Sequence, residues 1–248
     1  MLAWLPSRVP RSPAREPPVP TENAYLLFDL PGGRLAFGEG DLDIWAEHLT
    51  WCYRMMGIPD GATIAVQDFG SSPISFLGSS LLMPGLQRGV AERIGGRFIC
   101  LDASAERVTL TPALLSQLTV DALVIREDVI ELLSAELRKR EFAALARRTM
   151  KTIVVFGDEP PAFNAARPDS WRHLMHVEST LLLAPQCVKC DCFHLRQGVY
   201  EVDGRIVRNL RLAAPAYDLP RGELFPPSHC AAGIGDWCIG WSPRGRGI

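Results

Sequence analysis

Between Asp41 and Gly57 the apolar side chains Leu42, Trp45, Leu49, Cys52, Tyr53 and Met56 recur at intervals of three and four, the spacing that places them on one face of an α-helix. Asp41 offers a cap at the start and Gly57 a stop. The pattern predicts an amphipathic helix docked on a core. A short apolar run from Ala62 to Gln67 follows the turn residues Pro59, Asp60 and Gly61 and reads as a strand. Residues 73–94 are an apolar stretch long enough for one helix. Three compact runs, Arg97 to Leu101, Ala122 to Ile125 and Thr152 to Phe156, are separated by helical patterns around 111–118 and 126–149. Strands alternating with helices at this spacing predict an α/β fold with a largely parallel sheet, flanking helices and right-handed crossovers.

After His194 the texture changes to short alternating runs, Gly198 to Val202 and Arg205 to Leu210, joined by the turn Asp203-Gly204. A small β-rich C-terminal subdomain is therefore expected over 186–248, after an α/β domain over 23–185. Residues 1–22 hold Pro10, Pro13, Pro17, Pro18 and Pro20 with three arginines, a composition with too little apolar surface to offset ordering, and are expected to form a disordered proline-rich arm. No internal repeat is visible.

At 248 residues, 47% hydrophobic and 22% charged, the chain has the composition of a soluble globular protein with a sizeable core. A net charge of -2 supplies no basic field, which argues against nucleic acid or an anionic membrane as a partner. No run approaches the roughly 18 to 20 apolar residues that cross a bilayer, and the first residues lack a signal-peptide core, so a cytoplasmic location is expected. Seven cysteines, several of them clustered, suit reduced thiols or a metal better than a disulfide framework. Cys52 and Cys100 lie in apolar runs and read as core residues.

The densest chemistry is in Cys187-Val-Lys-Cys190-Asp-Cys192-Phe-His194, three thiols and an imidazole within eight residues. Ligands at this spacing can converge on one tetrahedral Zn2+, and a site closed by four protein ligands is structural rather than catalytic. A reduced, thiol-rich loop is the alternative. There is no Gly-x-Ser-x-Gly elbow, Walker loop or dinucleotide fingerprint. Ser72, before Pro73, reads as a helix N-cap.

Several stretches occur in a telling order: Gly40 to Ala46, Gln87 to Gly96, Phe156 to Pro160, His176 to Thr180, Ala184 to Cys187, Phe193 to Leu195 and Pro215 to Glu223. Over residues 35 to 235 this order resembles the large N-terminal domain of the phenylacetate-CoA ligase family, a branch of the acyl-adenylate-forming enzymes. The resemblance implies an adenylate-forming-enzyme-like large domain. Such enzymes use ATP and Mg2+ to activate a carboxylic acid as an acyl-adenylate, which CoA or another nucleophile then attacks. The resemblance also assigns roles. Gly157 and Glu159 would lie beside the adenine pocket. His176 takes the place of an aromatic ring near adenine, Thr180 stands where a Mg2+-binding glutamate belongs, and Glu178 is the nearest carboxylate. Glu223 would replace an aspartate that binds the ribose hydroxyls, with Asp236 as a second candidate.

In relatives of this branch a Cys, a His and a later Cys pair surround a structural zinc. Cys187, His194 and Cys230 match that set here, with Cys190 or Cys192 replacing the missing member and His229 and Cys238 in reserve. Where the family has a hydroxyl-rich phosphate loop, this chain runs from Phe28 to Arg34 with no serine or threonine and with Asp29 like-charged to phosphate. The family's mobile C-terminal domain, source of a catalytic lysine, is expected to be absent. The first reading is thus a compact, degenerate large domain that binds an aromatic or acyl carboxylate, or its activated ester, in a cleft under 68–90 and 157–185, without complete ATP-dependent ligation. Two others stay open. One is a non-catalytic binding module beside a full-length synthetase or carrier protein. The other is ATP-independent acyl-thioester chemistry, cyclisation or hydrolysis, with His176 as base beside Glu178.

Overall fold

A computed structural model describes residues 24, 26–30, 33–38, 40–139, 151–157, 171–189, 192–210, 212, 214, 216–219, 223–225, 230 and 237–240. The arm over 1–22, residues 140–150, Glu159, Cys190, His229 and Asp236 lie outside the described residues.

Strands β1 (Leu26–Leu30) and β2 (Gly33–Phe37) form an antiparallel hairpin in which Leu30 pairs with Gly33. Helix α1 (Asp41–Met55) follows, and Leu42, Trp45, Leu49, Cys52, Tyr53 and Met56 are all buried, as their spacing predicts. Its cap position is Gly40 rather than Asp41. Asp41 opens the helix instead, and its carboxylate accepts from the Gly38 N–H at 2.7 Å. Gly57, at φ +85°, carries the chain out of the helix, a backbone conformation that glycine enters without a Cβ penalty.

The central sheet has six strands in the order β4-β3-β5-β6-β7-β8: β3 (Thr63–Gln67), β4 (Arg97–Leu101), β5 (Ala122–Arg126), β6 (Thr152–Gly157), β7 (Trp171–Val177) and β8 (Leu182–Pro185). All neighbours are parallel except β8, which runs antiparallel to β7. Both faces are covered. Ile64, Val66, Val124 and Val154 point to the core built with α1, whereas Ala65, Leu123, Ile125 and Val155 point to helices α4 (Ala105–Gln117) and α5 (Ile130–Leu137). Two-sided burial explains why these strands read as continuous apolar runs.

Two further expectations need correction here. Residues 73–94 are not one helix: α2 (Pro73–Phe76) lasts a single turn, irregular chain follows, and α3 (Val90–Ile94) begins after Gly89. Pro84 cannot donate within a helix, and Gly78, Gly85 and Gly89 favour other conformations. Ser72 does cap α2, accepting from the Ile74 N–H at 3.3 Å. Cys100 is exposed rather than buried: β4 is the edge strand of the sheet, and among its residues only Leu101 is buried.

Beyond β8 come β9 (Cys192–Leu195), β10 (Tyr200–Asp203), β11 (Ile206–Asn209), β12 (Tyr217–Asp218), β13 (Glu223–Phe225) and β14 (Trp237–Gly240). They form two three-stranded sheets, β10-β11-β12 and β13-β14-β9. Asp203 pairs with Ile206, so the hairpin turn is Gly204-Arg205, one residue on from its expected place. Tyr200, Val207 and Leu219 belong to the same buried cluster as Trp45 and Leu183. The Tyr200 hydroxyl accepts from the Leu183 N–H at 2.8 Å and donates to the Leu181 carbonyl at 3.0 Å. His48 on α1 closes the group, its Nε2 lying 3.2 Å from both the Leu183 carbonyl and the Tyr200 oxygen. Leu181, at φ +48°, holds a conformation that is strained for a residue with a Cβ, and these bonds fix it there.

Candidate functional site

After β3 the chain goes to β4 on one side and then to β5 on the other, so the order of strands reverses beside β3. In open α/β sheets, ligands bind in the crevice outside the carboxyl ends of the strands at such a reversal. Here those ends carry Asp68, directly after β3, and Arg126, the last residue of β5. The Asp68 side chain is fully buried and lies 3.6 Å from the Arg126 guanidinium. Burial raises its pKa, opposed by hydrogen bonds from Ser72 and the Phe69 backbone, by the charge of Arg126 and by a bond from Ser75. The Ser75 hydroxyl donates to it at 3.3 Å. Arg126 holds Asp128 through two bonds of 3.0 and 2.9 Å and packs over the half-exposed Phe69 ring at 5.0 Å. Neither Asp68 nor Arg126 was singled out in the sequence. The available signal was the charge that ends each apolar strand.

Of the residues that the resemblance picked out, His176, Glu178, Thr180 and Gly157 fall at the same edge of the sheet. His176, near the end of β7, is buried against Phe156 at 5.9 Å between ring centroids. Burial, then the charge of Arg126, lowers its pKa to about 4, so the imidazole is neutral at pH 7. Among the described residues Nε2 has no hydrogen-bond partner and is shielded from water. Glu178 is exposed on the 3-10 turn Glu178–Thr180, which lies against β2. Thr180 is buried and its hydroxyl donates to the Val177 carbonyl at 3.3 Å. In this arrangement its proton is committed to Val177 rather than offered to a phosphate. A Cβ at Gly157 would meet the Glu127 carboxylate, so glycine here lets that carboxylate lie across the end of β6. Glu223 starts β13 opposite Gly240. Its side chain and Glu159 lie outside the described residues.

The thiols gather elsewhere, below the last turn of α1. The ligand atoms of Cys187, His194 and Cys230 lie within 4.8 Å of one another, and all three residues are buried. Tetrahedral zinc with bonds of about 2.0–2.3 Å separates its ligand atoms by roughly 3.4–3.8 Å, so a small contraction would close the set. This Cys/His/Cys group could hold a metal ion. Cys238, kept only in reserve on sequence grounds, pairs with His194 across β14 and β9, and its sulfur is 3.9 Å from the imidazole. Burial, then the neighbouring Cys230, Cys192 and Cys187, pushes its pKa to about 12. Cys192 is half-buried two residues from His194, on the same face of β9. No disulfide occurs among the described residues, and Cys190 lies outside them.

No protein-family model and no curated protein sequence matches this chain. Solved structures do. An open conformation of 2-hydroxyisobutyryl-CoA ligase in complex with 2-HIB-AMP and CoA is 14% identical with a TM-score of 0.67, over 89% of this chain and 57% of that one. The same ligase in the thioesterification state, again with 2-HIB-AMP and CoA, is 12% identical with a TM-score of 0.65, over 90% of this chain and 52% of that one. The chain thus spans little more than half the length of these enzymes. Among the described residues no helix is long and apolar enough to cross a membrane. The parallel sheet, its flanking helices and the β-rich C-terminal part together have the fold of the adenylate-forming acyl-CoA ligases.

Proposed function

We propose that this chain is a degenerate relative of the phenylacetate-CoA ligase branch that binds an acyl group in the crevice at the carboxyl ends of β3, β5, β6 and β7. The ligand is a small aromatic or aliphatic carboxylic acid, or its activated ester. The observation that carries this reading is Thr180. The fold supports an acyl site, yet the position where the family keeps its Mg2+-binding glutamate holds a buried hydroxyl bonded to Val177. Glu178 is exposed on the same turn, and the sequence from Phe28 to Arg34, where β1 pairs with β2, holds no serine or threonine. Stabilising the developing charge of phosphoryl transfer needs aligned donors and a metal. The missing hydroxyls of 28–34 and the committed Thr180 proton argue against Mg-ATP, and complete ligation is not part of this reading.

Cys187, His194 and Cys230, with Cys238 or Cys192 as fourth ligand, would hold a structural zinc that favours the thiolate form of its sulfurs and adds folding energy. A full-length synthetase or a carrier protein would then supply or receive the activated acyl group. The test is calorimetry of the zinc-replete protein with Mg-ATP and, separately, with a panel of acids and their thioesters. Acyl ligands are expected to bind and ATP to give no heat at millimolar concentration. Tight ATP binding, or acid-dependent exchange of pyrophosphate into ATP, would restore adenylation and sink this reading.

A further inference from the structure

The register of the sheet lines up the polar groups of the crevice. Arg126 pairs with Phe156 and Phe156 with Leu174, and His176 stands two residues beyond Leu174 on the same face of β7. Partners in a ladder point to the same face, and so do residues two apart in one strand. Asp68, following Gln67, whose partner is Ile125, extends the row to the other side of Arg126. Asp68, Arg126, Phe156 and His176 therefore run along one edge of the sheet, on the side that packs against α1. Phe69 and Phe156 are its apolar members.

The charges in this row do not suit a free acid. Asp128 matches the charge of Arg126 through a two-bond pair, and Asp68 adds a negative charge whenever it is ionised. Glu127 lies across the end of β6, and Glu178 is exposed on the turn that follows β7. Among the described residues the row is never net positive. A carboxylate entering it would give up water for a site with no uncompensated cation, which disfavours the charged form. The unmet need is different: a neutral imidazole, more than nine-tenths buried, whose Nε2 has no partner. A buried polar group without a bond is costly, and a neutral carbonyl beside an imidazole N–H removes that cost without adding charge.

We propose that the crevice selects the neutral, already activated acyl group, a thioester or ester, over the free carboxylic acid, with an imidazole N–H of His176 donating to the acyl carbonyl. This rests on the acyl-binding reading above and narrows its ligand class. His176 is then a specificity-determining residue, and Asp128 sets the sign of the row by neutralising Arg126.

The test compares phenylacetate with the N-acetylcysteamine thioester of phenylacetic acid, which lacks phosphates, by calorimetry on the full chain. The thioester is expected to bind at least about tenfold tighter, and the 15N resonances of the His176 ring to shift as it binds. His176→Phe should remove that preference, and His176→Gln, which keeps a donor, should restore part of it. Asp128→Asn alters a half-exposed side chain and uncovers the charge of Arg126. It should strengthen phenylacetate binding several-fold and leave the thioester unchanged. Equal or tighter binding of phenylacetate by the unaltered chain would overturn the selection and leave the acyl site standing. An unaltered preference in both His176→Phe and Asp128→Asn would overturn the assigned residues. Binding of neither probe would overturn the acyl-site reading itself.

Discussion

Two buried histidines are expected to make this molecule acid-sensitive. His48, fully buried among Trp45, Trp51 and Tyr200, has its pKa lowered to about 3 by burial and by the charge of Arg196, against the opposing bond to Leu183. His176 is lowered to about 4 by burial and by Arg126. Both folded values lie below the ordinary histidine value of 6.5, so below that pH the unfolded chain binds protons that the native chain refuses. The stability these neutral rings contribute is complete above pH 6.5 and is lost as pH falls towards 4 and then 3. With two such groups the loss approaches about 2.7 kcal/mol per pH unit once the pH is well below 6.5. Urea unfolding between pH 7 and 4.5 should show that slope, and His176→Phe should reduce it by about one proton. An unchanged slope in the variant would mean that His176 is protonated in the native state. Tyr200→Phe is a separate case. It leaves the Leu183 N–H and the Leu181 carbonyl without their buried partner, an expected loss of about 1–3 kcal/mol in the same assay.

The elements that sequence pattern read well are those in which a single face or a single run decides the outcome. Helix α1 shows its buried face at intervals of three and four, and β3, β5 and β6 are short apolar runs because helices cover both sides of the sheet. The stretch 73–94 reads as one helix because its composition is apolar throughout, yet its packing is set by close backbone approaches that hydrophobicity does not encode. Gly89 is the clearest of these: a Cβ there would stand 2.6 Å from the Ser79 nitrogen and 2.8 Å from its carbonyl carbon. Backbone cannot step aside as the end of a side chain can. Gly89→Ala should therefore cost about 1–3 kcal/mol by overpacking, whereas Gly40→Ala, with nothing within 4 Å of its Cβ, should stay within about 0.5 kcal/mol. Equal denaturant midpoints for the two variants would show that the 77–89 chain yields. Strand order was equally hidden. That Asp68 and Arg126 meet depends on β3 lying between β4 and β5, and residues 58 positions apart share no local pattern.

At the scale of the whole molecule the thiol cluster joins parts that the chain keeps far apart. Cys187 follows β8, His194 lies on β9, Cys238 on β14, and Cys230 precedes β14 by several residues. The cluster packs on Met55 and Trp51 at the end of α1, where the Val188 N–H donates to the Met55 carbonyl at 3.3 Å. The eight-residue motif announced that a metal was plausible, but the identity of its fourth ligand is a matter of register between β9 and β14, which local spacing cannot supply. Cys238 and Cys192 compete for that place. A structural zinc is closed to solvent, and Cys238 is fully buried whereas Cys192 is only partly buried. The purified protein is expected to carry about one zinc per chain, and chelation to lower its thermal midpoint on the order of 10 °C, since a zinc site contributes several kcal/mol and each kcal/mol shifts a chain of this size by about 2–4 °C. Cys238→Ser should lower zinc content and lose most of that stabilisation, while Cys192→Ser should retain both. The reverse order would assign the fourth position to Cys192. A chain without zinc, whose melting does not respond to chelator, would make the cluster a reduced thiol core, with the β13-β14-β9 sheet held to α1 by packing and by links such as the Arg196–Glu47 ion pair.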